Sequence, residues 1–153
     1  MKNLFTAFLS MFIIACSTPE KNANSKIEIY DDSVLDIIDI YSEIEELADS
    51  ISLPEGPVWD EASQSLLFVD VMGNKLYKWN ENDGTSEYIS PSGNTGYAPN
   101  VDFGLLGANG LLIDENGDII LCQHGDRRLA KINNSSTNSP SFTTLVDNYE
   151  GGR

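Results

Sequence analysis

The stretch Glu55-Gly-Pro-Val-Trp-Asp-Glu61 returns later in the chain as Asn109-Gly-Leu-Leu-Ile-Asp-Glu115. The copies share three residues at an offset of 54: Gly56 with Gly110, Asp60 with Asp114, and Glu61 with Glu115. Further on, residues 67–69 match 120–122 and Leu76 matches Leu129, at an offset of 53. A period near fifty residues, built from short strands, is typical of four-stranded propeller blades. The repeat therefore predicts an all-β fold; the alternative is a chance match of two unrelated hairpins.

The apolar patterns place further elements around the two repeats. Strands are predicted at 66–70, 75–79 and 85–90, and again at 119–122, 129–132 and 142–146, with turn-like residues between them. Residues 91–108 are rich in Gly, Pro and Asn, and they predict a long loop. Apolar residues at helical spacing predict a short helix at about 33–40, followed by a strand at about 43–48.

The length of the chain limits how many blades it can form. About 110 residues follow the predicted helix, which is enough for two blades and a little more. Propellers typically hold about 4–8 blades around a central channel. The sequence is therefore expected to be the N-terminal fragment of a longer protein, with an incomplete propeller over residues 31–153.

The first sixteen residues are typical of an export signal. Lys2 supplies a positive charge, and the mostly apolar run 4–15 is too short to span a bilayer. Residues 13–16, Ile-Ile-Ala-Cys, resemble the bacterial lipobox, which implies lipidation at Cys16; the alternative is a secretory signal with an incidental cysteine. The polar residues 17–30 would tether the domain. We expect a periplasmic or outer-membrane lipoprotein whose membrane contact is this anchor alone. Cys122 would then be a free thiol, and its apolar neighbours predict that it is buried.

The charge balance limits the partners. The chain carries 24 acidic and 9 basic residues, for a net charge of −15. Nucleic acid is excluded as an expected partner, because phosphate binding needs clustered Lys and Arg. An acidic surface attracts divalent cations, although it is equally a common means of staying soluble.

Two residues at equivalent points of the repeat are candidate metal ligands. Glu55 and Asn109 each begin a predicted innermost strand, and such strands line the channel of a propeller. Their carboxylate and amide oxygens are hard ligands of the kind that Ca²⁺ prefers. The alternative is a solvated loop acid and a turn residue beside Gly110.

Three motifs in order resemble the senescence-marker-protein (regucalcin)/gluconolactonase family. Residues 55–59 resemble its EGPVW block, and residues 109–111 resemble its NGL block. Residues 122–128, Cys-Gln-His-Gly-Asp-Arg-Arg, resemble its C-x-HG-x-RR block, and the last five residues resemble the segment before its N-S-P-N-D block. The resemblance covers roughly residues 35–153 and implies a six-bladed propeller, of which about two blades are present here.

The resemblance also implies an activity and residue roles. The intact protein would hydrolyse a sugar lactone, a small-molecule substrate, with Ca²⁺ or another divalent cation such as Zn²⁺, Mg²⁺ or Mn²⁺. Glu55 would bind the metal, Asn109 would contact metal or substrate, and His124 would shape the substrate pocket. The general-base aspartate is expected beyond Arg153, so the chain alone is expected to be an inactive fragment.

Several alternatives remain open at the level of sequence. The propeller is either a lactonase, a calcium-dependent organophosphate or ester hydrolase, or a surface protein that binds sugar or metal without turnover. His124 has a second interpretation as a partly buried residue that fixes a turn with Gly125. Arg127 and Arg128 alternate faces on a strand, so we expect one of them to form a structural ion pair.

Overall fold

A computed structural model describes residues 27–42, 44–98, 106–134 and 139–152. Within these residues the chain forms two four-stranded antiparallel sheets, which confirms the all-β class. The first sheet holds β1 (Pro54–Asp60), β2 (Ser65–Asp70), β3 (Lys75–Asn80) and β4 (Gly84–Ile89). The second holds β5 (Ala108–Ile113), β6 (Ile119–Gln123), β7 (Arg128–Asn134) and β8 (Ser141–Val146). Strands that follow one another in the chain are neighbours in each sheet, as in two blades of a propeller. A six-bladed ring stays a prediction.

The internal repeat also appears in the register shifts of the strand pairs. The pairing register shifts near the start of both inner strands, between Glu55 and Val58 in β1 and between Ala108 and Gly110 in β5. It shifts again after Leu76 in the first sheet and after Leu129 in the second, which are equivalent residues. β-Bulges of this kind bend a strand and increase its twist. The two sheets therefore share a shape as well as a sequence pattern.

The hydrophobic core lies between the two sheets. Its buried members come from both: Leu67, Val69, Val71, Leu76, Ile89, Ala108 and Leu121. β1 and β5, the inner strands of the two sheets, lie close together: a β-carbon on Gly56 would be 3.0 Å from the Cα atom of Gly110. The backbone N–H of Gly107 also donates to the carbonyl oxygen of Val71 across this boundary, at 2.7 Å. The two sheets form a packed pair.

The region before the sheets differs from the sequence expectation. A 3-10 helix spans Asp32–Asp36, in place of a helix at 33–40, and none of its residues is buried. Ile37 and Ile38 are exposed, and a helix whose apolar side chains are not buried gains little from packing. No helix among the described residues is long and apolar enough to cross a membrane.

The strand predicted at 43–48 is also wrong for the residues that can be described there, 44–48. Residues 47–53 make isolated hydrogen bonds instead, one of them from the backbone N–H of Val71 to the carbonyl oxygen of Leu53, at 3.1 Å. The Thr85 hydroxyl donates to the carbonyl oxygen of Leu47 at 2.7 Å. The carboxylate of Asp70 accepts the N–H groups of Ser52 and Leu53, at 3.3 and 3.1 Å. Isolated bonds of this kind do not make the regular ladder that a strand needs.

The predicted burial of Cys122 is wrong. Cys122 is exposed and free, while its strand neighbours Leu121 and Gln123 are buried. Successive side chains of a strand point to opposite faces, so the two neighbours face the first sheet and Cys122 faces away from it. This outer face of the second sheet also exposes Leu112 and Leu129. Cys16, the predicted lipidation site, lies outside the described residues.

Candidate functional site

The candidate site residues gather at one end of the sheets. Register places Pro54 of β1 beside Asp70, and Asp70 beside Lys75. In the second sheet it places Ala108 beside Gln123, and Gln123 beside Arg128. The starts of both inner strands, the β2–β3 and β6–β7 turns and the connection after β4 therefore share one end. We call this end the rim: residues 54–55, 70–75, 90–98, 106–109 and 123–128.

Glu55 and Asn109 lie at the rim on neighbouring inner strands. Both residues are exposed. Each directly precedes one of the two glycines, Gly56 and Gly110, at which β1 and β5 lie close together. The structure thus brings the two sequence-predicted metal ligands to the same end of adjacent blades.

The side-chain oxygens of Glu55 and Asn109 are of the types that bind a hard cation. Glu55 offers a carboxylate and Asn109 an amide oxygen, and Ca²⁺ is held by oxygens of both types. Among the residues that the structure describes, no group of three or more His, Cys, Asp and Glu side chains is placed to hold a metal. Ca²⁺ takes 6–8 oxygen ligands. The two residues would therefore be part of a ligand set that waters or other groups complete.

His124 lies in the β6–β7 turn, also at the rim, with an exposed side chain. The turn is closed by its backbone, since the His124 carbonyl oxygen accepts the N–H of Arg127 at 3.2 Å. Gly125 packs tightly beneath it: a β-carbon there would lie 2.5 Å from the Cβ of Asn94 and 2.6 Å from the Leu106 oxygen. The exposed His124 is thus carried by a turn that packs against Asn94 and Leu106.

A buried ion pair in the same turn supports the expectation that one of the two arginines has a structural partner. Arg128 Nη2 lies 3.4 Å from Asp126 Oδ2, and the two side chains are 5% and 0% exposed. The Arg128 guanidinium also donates from Nε to the Gln123 side chain and from Nη1 to the Thr144 hydroxyl, the latter at 2.8 Å. It lies 3.9 Å from the ring centroid of Tyr97. The sequence showed the Arg-Arg pair but not its partners.

Asn74 is another side chain at the rim, and its contacts could not be predicted from the sequence. Its Oδ1 accepts the N–H groups of Ser92, Gly93 and Asn94, at 3.2, 2.9 and 3.0 Å. Its φ is +54°, and Arg127 at the equivalent position of the second repeat has φ +52°. Asparagine tolerates this left-handed conformation better than most residues, which gives a signal for a turn but not for its contacts.

Asp70 fastens the start of β1 to the β2–β3 turn. Its carboxylate is buried and accepts N–H groups from both segments, including that of Gly73 at 3.0 Å. Burial by itself raises the pKa of Asp70. The backbone N–H groups of Gly73, Ser52, Leu53 and Met72 outweigh burial and hold this pKa below its ordinary value. Asp70 is therefore a charged structural residue at the base of the rim.

Comparisons with known proteins give the chain a family context. Residues 53–152 match the family model described as the SMP-30/gluconolactonase/LRE-like region. A curated gluconolactonase from Zymomonas mobilis is 33% identical over 117 residues, which are 76% of this chain and 32% of that protein. A curated regucalcin from Oryctolagus cuniculus is 65% identical over 26 residues, 17% of this chain and 9% of that protein. The chain spans about a third or less of the length of these relatives.

Solved structures agree with the sequence matches. A protein provisionally assigned as a gluconolactonase superposes with a TM-score of 0.63 at 25% identity, over 81% of this chain and 37% of that one. A gluconolactonase from Xanthomonas campestris superposes with a TM-score of 0.54 at 23% identity, over 69% of this chain and 30% of that one. The second likeness shows the fold alone. The two sheets are thus similar to part of larger gluconolactonase structures.

Proposed function

The chain belongs to the SMP-30/gluconolactonase/LRE-like family, and from that membership we propose that the whole protein hydrolyses a sugar lactone with the help of a divalent cation. The observation that carries the proposal is the placement of Glu55 and Asn109. Both are exposed at the starts of adjacent inner strands, within the residues that match the family. Ca²⁺ is the first candidate for the cation, and Zn²⁺, Mg²⁺ and Mn²⁺ are the others.

The proposed reaction is the addition of water to the lactone carbonyl carbon. The bond from that carbon to the ring oxygen breaks, the ring oxygen gains a proton, and a hydroxy acid leaves as its anion. A bound divalent cation supplies Lewis-acid polarisation of the carbonyl and orients the water.

The residues of this chain have positioning roles in the proposed reaction. Glu55 and Asn109 would hold the cation at the rim, and Asn109 would also contact the substrate. His124 would border the pocket and offer a ring nitrogen to the hydroxyl groups of the sugar. The family resemblance assigns the general base to an aspartate.

The test is hydrolysis of an aldonolactone by the whole protein, followed as acid release against the uncatalysed rate. We expect catalysis that EDTA abolishes and Ca²⁺ restores, and that Glu55→Gln lowers by at least about a hundredfold. Glu115→Gln is the matched control, because Glu115 is an exposed acid at the opposite end of the second sheet. Equal rates for Glu55→Gln and Glu115→Gln would contradict the site. Lactone binding without turnover would point to the non-catalytic alternative.

We also propose that the protein is exported and anchored by lipid at Cys16. The support is the sequence of residues 1–25: a positive start, a short apolar run, and a polar stretch after the cysteine. Mass spectrometry of the mature N-terminus should show a lipid-modified Cys16, and Cys16→Ser should release the protein from membranes. An unmodified N-terminus at another residue would contradict this.

A further inference from the structure

The ion pair of Asp126 and Arg128 is buried at the rim. Removing two charges from water costs about as much free energy as their mutual attraction returns. A buried pair is therefore weak evidence for stability, and one attested use is to select one conformation. Asp126 and Arg128 also hold another part of the chain in place.

They hold the segment that connects the two sheets. Asp126 Oδ1 accepts the N–H groups of Thr95 and Tyr97, at 3.0 and 3.2 Å, and Oδ2 accepts the Thr95 hydroxyl. Arg128 covers the ring of Tyr97, and the Tyr97 hydroxyl donates to Asp147 at 2.6 Å. The second sheet thus fixes residues 95–97 through charge-assisted hydrogen bonds, which are about twice as strong as neutral ones.

Both sheets fix the other half of the same segment, residues 92–94. The Asn74 side-chain oxygen accepts the N–H groups of residues 92–94. The Gln123 amide donates to the carbonyl oxygen of Ser92 at 2.9 Å, and the N–H of Asp126 donates to that of Gly93 at 2.7 Å. Residues 92–97 are therefore fastened from both sheets. The His124 turn rests on them through Gly125.

We propose that Asp126 and Arg128 are positioning residues, which lock residues 92–97 and the His124 turn at the rim and thereby set how a polyhydroxylated lactone is held there. The proposal rests on the proposed function. It concerns substrate binding rather than metal binding, because Glu55 and Asn109 are carried by β1 and β5. Those strands are held by the Gly56–Gly110 approach and the core, and β5 also meets residues 92–97 where the Ser92 hydroxyl accepts the N–H of Ala108 at 3.2 Å. The ion pair itself binds residues 95–97, at the other end of that segment.

The test measures KM, kcat and Ca²⁺ affinity separately in the whole protein. Asp126→Asn keeps the shape but removes the charge, and we expect KM for an aldonolactone to rise about tenfold or more. We expect Ca²⁺ affinity to stay within about twofold. Arg128→Lys keeps the charge but loses the planar fork, so its KM should rise as well. Asp118→Asn is the control, because it breaks an ion pair with Lys131 at the opposite end of the sheet and should leave KM unchanged.

A second measurement tests, without substrate turnover, whether Asp126 holds residues 95–97 in place. Hydrogen exchange at the amides of Thr95 and Tyr97 should accelerate at least about tenfold in Asp126→Asn, while amides of β2 stay protected. If Asp126→Asn does not fold, Thr95→Val removes one hydroxyl bond to the carboxylate and should raise KM about two- to threefold.

Three results separate the possible failures. An unchanged KM in an active Asp126→Asn protein overturns the proposal. A parallel loss of Ca²⁺ affinity and thermal stability also overturns it, because the pair would then be merely structural. If the unaltered protein has no lactonase activity, the proposed function fails, and the exchange rates at Thr95 and Tyr97 alone decide whether the lock exists.

Discussion

The Cα atom of Gly110 lies 3.0 Å from the point that a β-carbon on Gly56 would occupy. These glycines are equivalent members of the internal repeat, so the two inner strands meet backbone to backbone at matching positions. The residues before them, Glu55 and Asn109, are carried to the same end of neighbouring sheets by this approach. The glycine of each repeat is thus linked to the placement of the candidate metal ligands.

Gly56→Ala should destabilise the fold by about 2–4 kcal/mol. One part is the left-handed backbone, since Gly56 has φ +56°, and the other is crowding against Asn109–Leu111. Gly84→Ala is a matched control, because Gly84 has φ +68° but, apart from its chain neighbours, no atom of the described residues lies within 4 Å of its would-be β-carbon. The control should cost only about 1–2 kcal/mol. Urea denaturation measures both variants, and equal losses would contradict the close approach.

The repeated strands could be predicted because their signal is local. Runs such as 66–70 and 119–122 combine strand length with turn residues on both sides, and they form β2 and β6 within a residue or two. Glu55 and Asn109 could be placed together for the same reason, since equivalent residues of a repeat occupy equivalent positions. Whether they bind a metal stays a prediction.

The remaining features depend on contacts between distant residues. The strand predicted at 43–48 is wrong because the residues there pair with no neighbouring strand among the described residues; the Leu47 carbonyl oxygen accepts a hydrogen bond from the Thr85 hydroxyl instead. Cys122 was predicted to be buried from its apolar neighbours, but the second sheet packs on the first through the other face of β6. The Asp126 contacts span 29 to 31 residues, and no local pattern encodes them.

Asp70→Asn should destabilise the fold at neutral pH by about 1–3 kcal/mol, because an amide group replaces one acceptor oxygen and leaves an N–H group unpaired. The lowered pKa of Asp70 fixes the pH dependence. A carboxyl whose pKa is lower in the folded state stabilises fully above the unfolded value of about 3.9, and that contribution is lost as the pH falls through the folded pKa.

Urea denaturation between pH 7 and pH 2.5 tests this expectation. The gap between the unaltered chain and Asp70→Asn should be widest near neutral pH and should narrow below about pH 4. Asp83→Asn is the control, because Asp83 is an exposed acid in the β3–β4 turn. A gap for Asp70→Asn that does not change with pH would show that its charge does not matter.

Cys122 should react with a soluble thiol reagent in the native 153-residue chain. Its side chain is exposed on the outer face of the second sheet, opposite Gly110, so access does not require unfolding. In a Cys16→Ser background we expect a native rate within about tenfold of the rate in urea. Modification only after unfolding would mean that this face is covered.

The metal site should respond in opposite directions to two substitutions in the 153-residue chain. Glu55 and Asn109 supply one carboxylate and one amide oxygen, far fewer than the 6–8 oxygens of a full calcium site. We therefore expect Ca²⁺ to bind with a Kd no tighter than about 10⁻³ M, by analogy with the weakest calcium modules. Glu55→Gln should abolish that binding, while Asn109→Asp should tighten it severalfold, because affinity follows the number of ligand charges.

Isothermal titration calorimetry measures the Ca²⁺ affinity of both variants. Asn133→Asp is the control for added charge, since Asn133 is exposed at the far end of β7. If Asn109→Asp and Asn133→Asp tighten binding equally, the effect is general attraction to an acidic surface, and the two residues at the rim do not share an ion.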